Sequence, residues 1–121
     1  MKAGNRTIGA RLRVVLDDDV AIGPGKADLL EGIRETGSIS AAGRRMGMSY
    51  KRAWLHVEAL NGAFRAPLVT ATRGGRAQGG AALTDAGEEV LARYRAMEAA
   101  ATRAVDGDIA ALQALLRPRE G

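Results

Sequence analysis

Between Ser38 and Gly80 the chain gathers Arg44, Arg45, Lys51, Arg52, Arg65, Arg73 and Arg76 against a single acid, Glu58, for a net charge of +6. The remaining residues sum to −2, so the overall +4 is confined to one segment. Guanidinium and ammonium groups at that density suit neutralisation of a polyanion, above all a phosphodiester backbone. A merely solvated basic face is the plainer alternative, and only the pattern around the cations separates the two.

Other chemistry is poorly served. The chain has no cysteine and one histidine, His56, so a zinc site lacks ligands. No nucleophile and base stand out as a pair, and the protein is not expected to be an enzyme. Asp17, Asp18 and Asp19 are consecutive, and three adjacent side chains cannot converge on one cation; a solvated turn is the better reading. Gly74-Gly75 and Gly79-Gly80 lack the Gly-Lys-Ser/Thr that a nucleotide-binding loop requires. No metal or cofactor is expected.

The positioning elements must fit into 121 residues, which suits one domain over 1–121. With 46% apolar but only 3% aromatic residues, the core must be built from Leu, Val, Ile, Met and Ala. No stretch resembles a signal peptide or a membrane span, so a cytoplasmic protein without membrane contact is expected.

Leu12, Val14 and Leu16 alternate as in a half-buried strand, which Asp17–Asp19 should end. After Gly23-Pro24-Gly25, Leu29, Leu30 and Ile33 share a helical face up to about Thr36, and Gly37 suits a helix C-terminus. Two short helices follow across about 38–63, the first capped by Ser38 or Ser40, the second by Ser49. The second carries Ala53, Val57, Leu60 and Phe64 at helical spacing. Residues 68–83 read as strand, glycine-rich basic tip and strand. Thr84 then caps a long helix over about 84–105, with Asp85, Glu88 and Glu89 at its electropositive start, and a short helix over about 108–116 closes the chain.

The span Ala42–Val57 fits a helix-turn-helix. Gly43 is the small residue where two helices touch, Gly47 makes the turn between Met46 and Met48, and Ala53 and Val57 face the core. The outward face then presents Ser49, Tyr50, Lys51 and Arg52, with Leu55 and His56, near a helix N-terminus, where major-groove contacts are made. Trp54, beside Ala53, is expected to pack on the flank of this motif. Arg73 and Arg76 on the glycine-rich tip can reach phosphates or a minor groove.

The runs Gly37-Ser38-Ile39-Ser40-Ala41-Ala42, Met48-Ser49-Tyr50-Lys51-Arg52-Ala53-Trp54 and Leu60-Asn61, then Thr72-Arg73-Gly74-Gly75-Arg76, Gly79-Gly80-Ala81 and Leu83-Thr84-Asp85-Ala86-Gly87, resemble the DNA-binding domain of the ModE family of molybdate-responsive transcription regulators. The resemblance covers roughly Leu12 to Ala104; more distantly, the helix-turn-helix and the Leu-Thr-Asp-Ala-Gly helix start are similar to LysR-type regulators. It implies a mainly α fold with a small β-sheet, a winged helix-turn-helix with a long C-terminal dimerisation helix. It further implies a homodimer reading palindromic double-stranded DNA. Members of that family carry molybdate ligands in a Ser-Ala-Arg-Asn-Gln-like string that is lacking here, so this chain is not expected to bind molybdate itself.

The expected DNA contacts are Ser38, Ser40, Ser49, Tyr50, Lys51, Arg52, His56, Arg73 and Arg76. Val90, Tyr94, Met97, Ala101 and Ala104 recur at intervals of three and four and form the expected dimer seam. The competing reading is a protein-interaction module that keeps the scaffold without sequence-specific DNA binding. Steep loss of duplex affinity with rising salt would separate them.

Overall fold

Leu29, Leu30 and Ile33 lie on one face of a helix and are almost wholly shielded from solvent, and the other elements assemble on that face. The computed structural model describes residues 9–72 and 80–119. In chain order these form β1 (Val14–Asp17), β2 (Val20–Ile22), α1 (Pro24–Thr36), α2 (Ile39–Arg45), α3 (Tyr50–Ala63), β3 (Val69–Thr72), β4 (Gly80–Leu83) and α4 (Asp85–Ala114). The mainly helical class with a little antiparallel β-structure is as expected. Its strands divide into two separate pairs, β1–β2 and β3–β4.

Helix α1 starts with Pro24, whose fixed φ suits a first turn, and stops at Gly37 in the left-handed region, its N–H bonded to Ile33 O at 2.8 Å. Its apolar face meets Ala42 of α2, Leu68, and Leu91 and Tyr94 of α4 in one core. Burying each such Leu or Ile side chain contributes about 1.5–3 kcal/mol before the entropy of ordering is counted. The Tyr94 hydroxyl avoids isolation by donating to Leu12 O at 2.7 Å, which ties the segment leading into β1 to α4.

Three expectations need correction. The acids Asp17–Asp19 end β1 in an exposed turn as expected, the Asp17 carboxylate accepting from Asp18 N–H at 2.6 Å, but the chain returns in a strand, β2, that was not expected. A register shift between Val15 and Asp17 breaks the alternation, so Leu12 and Val14 pack inward while Leu16 is left 54% exposed. Secondly, α4 runs unbroken from Asp85 to Ala114 where two helices were expected. Gly107 sits within it at a cost of about 1 kcal/mol relative to Ala, too little to end a helix surrounded by good helix formers. Thirdly, Tyr94 cannot serve a dimer seam, because it is fully enclosed in the core of its own chain. No helix among the described residues is long and apolar enough to cross a membrane.

Candidate nucleic-acid interface

The helix-turn-helix is built by local rules. Ser38 caps α2, its hydroxyl accepting from Ala41 N–H at 3.0 Å, and Ser49 caps α3 through Arg52 N–H at 3.1 Å. Between them the chain turns at Gly47, φ 72°, where a side chain would be strained, and Met48 N–H returns to Gly43 O at 2.9 Å. A Cβ at Gly43 would lie 3.0 Å from the Ala53 Cβ, so glycine is what lets α2 and α3 touch.

With Ala53, Val57 and Leu60 buried, the helical period divides the rest of α3 into three strips. Lys51 and Leu55 form the front and are exposed. One flank carries Tyr50, Trp54 and Asn61 and, with Ser38, Ser40 and Thr70, lines a groove of about 440 Å³ beside the wing strands. The other carries Arg52 and His56 and faces Lys26 of α1. Lys51 and Arg52 have no ion-pair partner among the described residues, whereas Arg45 is paired with Glu35 at 2.8 Å and Arg44 donates to Ser40 Oγ at 3.0 Å.

The structure thus places Ser38, Ser40, Ser49, Tyr50, Lys51, Arg52 and His56 around a single helix and its approach. Ser38 and Ser49 spend their hydroxyls as caps, and the Ser40 hydroxyl is partnered by Arg44. Trp54 departs from expectation: it is 41% exposed, on the groove side of α3 rather than packed away. The helical angle between Tyr50 and Trp54, an i, i+4 pair, was the available signal for it. His56 is half-buried; that burial first, then the neighbouring Lys26 and Arg52, hold its pKa below the ordinary 6.5. Arg73 and Arg76 lie outside the described residues, though the strands bearing them, β3 and β4, pair in register from Val69↔Leu83 to Thr72↔Gly80.

Sequence reasoning missed Asn61. Its side chain accepts from Leu68 and Val69 N–H at 2.8 and 3.0 Å and donates to Val69 O at 3.0 Å, fixing the start of the wing to the end of α3. It also missed Arg95, whose guanidinium bridges α1 and α4 through Asp28 at 2.8 Å, Glu31 at 2.9 Å and Glu98 at 3.1 Å. Burial works against that charge, but these hydrogen bonds outweigh it and raise the Arg95 pKa further above its usual value.

Residues 27–88, from α1 into the first turn of α4, match the bacterial regulatory helix-turn-helix model of the LysR family. The chain belongs to that family. Among solved structures it is similar to the crystal structure of a CbnR_DBD–DNA complex, with 26% identity and a TM-score of 0.56 over 72% of this chain and 94% of that one. The molybdenum-pterin-binding protein MopB of Rhodobacter capsulatus is 54% identical over 78 residues, covering 64% of this chain and 29% of MopB. The molybdenum transport protein ModE of Azotobacter vinelandii is 38% identical over 117 residues, covering 86% of this chain and 43% of ModE. The chain therefore spans less than half the length of these relatives. The expected resemblance to ModE holds, and the helix-turn-helix and wing strands it implied lie within the LysR-type match.

Proposed function

We propose that the chain binds duplex DNA sequence-specifically and regulates transcription, as a homodimer on a palindromic operator. The observation that carries the reading is α3 itself: a capped helix held by a Gly43–Ala53 contact, with Tyr50, Lys51, Arg52 and Leu55 turned outward in a LysR-type motif. Hydrogen-bond donors on such a helix can reach guanine O6 and N7 in the major groove, and Leu55 can meet a thymine methyl. Arg73 and Arg76, which lie in sequence between β3 and β4, would add contacts to the backbone beside it.

The dimer is supported by α4. Past Tyr94 the helix leaves its own core, and the stripe continues as Met97, Ala101 and Val105 to Leu112, with Leu116 just beyond the helix end. Met97 is 40% exposed, Leu112 64% and Leu116 70%, an apolar seam for a second helix. From the expected seam, Met97 and Ala101 stay available and Ala104 borders the stripe, whereas Val90 packs against the chain's own core. Two copies related by a two-fold axis would set their recognition helices about 34 Å apart, one turn of DNA. No role in molybdate binding is assigned to these residues.

Selection of binding sites from random duplexes followed by footprinting tests the proposal. A palindromic consensus with two protected half-sites is expected, with affinity falling steeply as salt rises. Failure to enrich any sequence, with weak and uniform duplex binding, would leave the interaction-module reading instead.

A further inference from the structure

A groove of about 560 Å³ runs along the side of the domain opposite the wing, between the start of β1, the first turn of α1 and the His56 flank of α3. Arg11, Arg13 and Lys26 line it together with His56, and Asp19 is its one acid among the described residues. Arg13 is exposed, and neither Arg13 nor Lys26 has an ion-pair partner among the described residues. The first turn of α1 contributes no acid to offset them. Arg34, Arg45 and Arg93, by contrast, each sit on a carboxylate. Arg13 and Lys26 are thus available to a partner outside the chain.

We propose that this groove is a second track for the DNA backbone, in which Arg13 and Lys26 contact phosphates of the strand on the far side of the major groove from the wing. The inference rests on the DNA-binding reading above and extends it from α3 and the wing to the N-terminal hairpin. A helix in a major groove about 12 Å wide has a phosphate wall on each flank. On one flank of α3 stand Tyr50, Trp54 and the wing; on the other stand Arg52, His56 and then this groove. The shared position of Lys26, Arg52 and His56 is borne out by their mutual electrostatics: the two cations both hold the imidazole toward its neutral form. An entering phosphate would offset that repulsion. The β1–β2 hairpin thereby acquires a task, since the Tyr94 hydrogen bond to Leu12 O holds the chain fixed one residue before Arg13.

The test compares the wild type, the double variant Arg13→Gln with Lys26→Gln, and a charge-matched control, Arg93→Gln with Arg103→Gln on α4. Each is titrated with the selected duplex over a range of salt, after circular dichroism has shown that all three are folded. If the groove carries backbone, the groove variant loses about 1.8 from the slope of log affinity against log salt, because each phosphate contact contributes about 0.9. Its affinity falls by up to about sixtyfold near 0.1 M salt, the gap closing toward 1 M. Its sequence preference is retained, and phosphate-ethylation interference disappears only on the side of the site away from the wing. The control keeps the wild-type slope. A groove variant that matches the wild type in slope and interference overturns the inference while leaving DNA binding intact. A control that loses the same slope as the groove variant also overturns it, since net charge would then account for the effect. A wild type that selects no sequence is the failure of the DNA-binding reading itself.

Discussion

The side-chain amide of Asn61 brackets the backbone of Val69, accepting from its N–H and donating to its carbonyl, both at 3.0 Å. An amide plane offers the same donor and acceptor as a peptide group, so the last full turn of α3 serves as a one-residue strand partner for β3. Recognition helix and wing are thereby joined by hydrogen bonds as well as by the chain. Asn61→Ala leaves two N–H groups and a carbonyl to find water, and is expected to cost about 2 kcal/mol. Hydrogen exchange at Leu68 and Val69 should accelerate before global stability fails. Asn61→Asp keeps the acceptor and should lose less; equal losses in urea unfolding would contradict this division of labour.

Lys51→Ala and Arg52→Ala are expected to weaken binding to the selected duplex by about 1–3 kcal/mol each. Both side chains are exposed, so thermal stability should scarcely change. The diagnostic is relaxed preference at one operator position per half-site. Wild-type affinity in both variants would mean that α3 does not enter the major groove.

His56 gives two pH effects of opposite sign. Its folded pKa is lowered by burial and by Lys26 and Arg52, so as pH falls below 6.5 the unfolded chain takes up the proton first. The stability it contributes is whole above 6.5 and declines through the interval down to its folded value. A phosphate beside the imidazole would favour the charged form, so DNA affinity should instead rise over that interval. His56→Gln should flatten both profiles. A binding profile unchanged by the substitution would place His56 away from the backbone.

Arg95→Ala removes one charge and strands Asp28, Glu31 and Glu98 together. The guanidinium is 30% exposed, so solvent relieves part of the cost, and about 1–3 kcal/mol is expected rather than the full value for a buried pair. A double-mutant cycle with Asp28→Asn should show coupling that diminishes in 1 M salt. Additive effects would mean that the network merely decorates the α1–α4 contact.

Met97→Glu or Leu112→Glu places a charge on the exposed stripe of α4 without touching the chain's own core. Sedimentation should show dimer giving way to monomer, and the footprint should shrink to one half-site with lower affinity. A wild type that is already monomeric at micromolar concentration, yet binds one half-site at full strength, would end the dimer proposal.

The helix-turn-helix was legible because its rules are local. A serine cap, a glycine at a left-handed turn and a glycine where helices touch each announce themselves by residue type, as Ser49, Gly47 and Gly43 do. Part of what escaped notice depends on residues far apart in sequence. Arg95 and Asp28 are separated by 67 positions, and no local pattern marks them as partners. Tyr94 fitted the period of a seam, but period says only which face a residue occupies, not which neighbour covers it. Leu16 failed for a related reason, since one bulge reverses the side on which every later residue falls.

The continuous α4 makes the domain a lever. At 1.5 Å per residue its 30 residues extend about 45 Å, and the Arg95 bridge pins it to α1 near one end. From that pin to Ala114 the free arm is about 29 Å, so a tilt of about 5° about the pin displaces its tip by about 2.5 Å. By the same leverage a small push delivered far along α4 would be returned as a rotation of α1 and, through α2, of α3. If α3 reads DNA as proposed, such a torque would reset the angle at which that helix is offered with no change in the contacts of α3 itself.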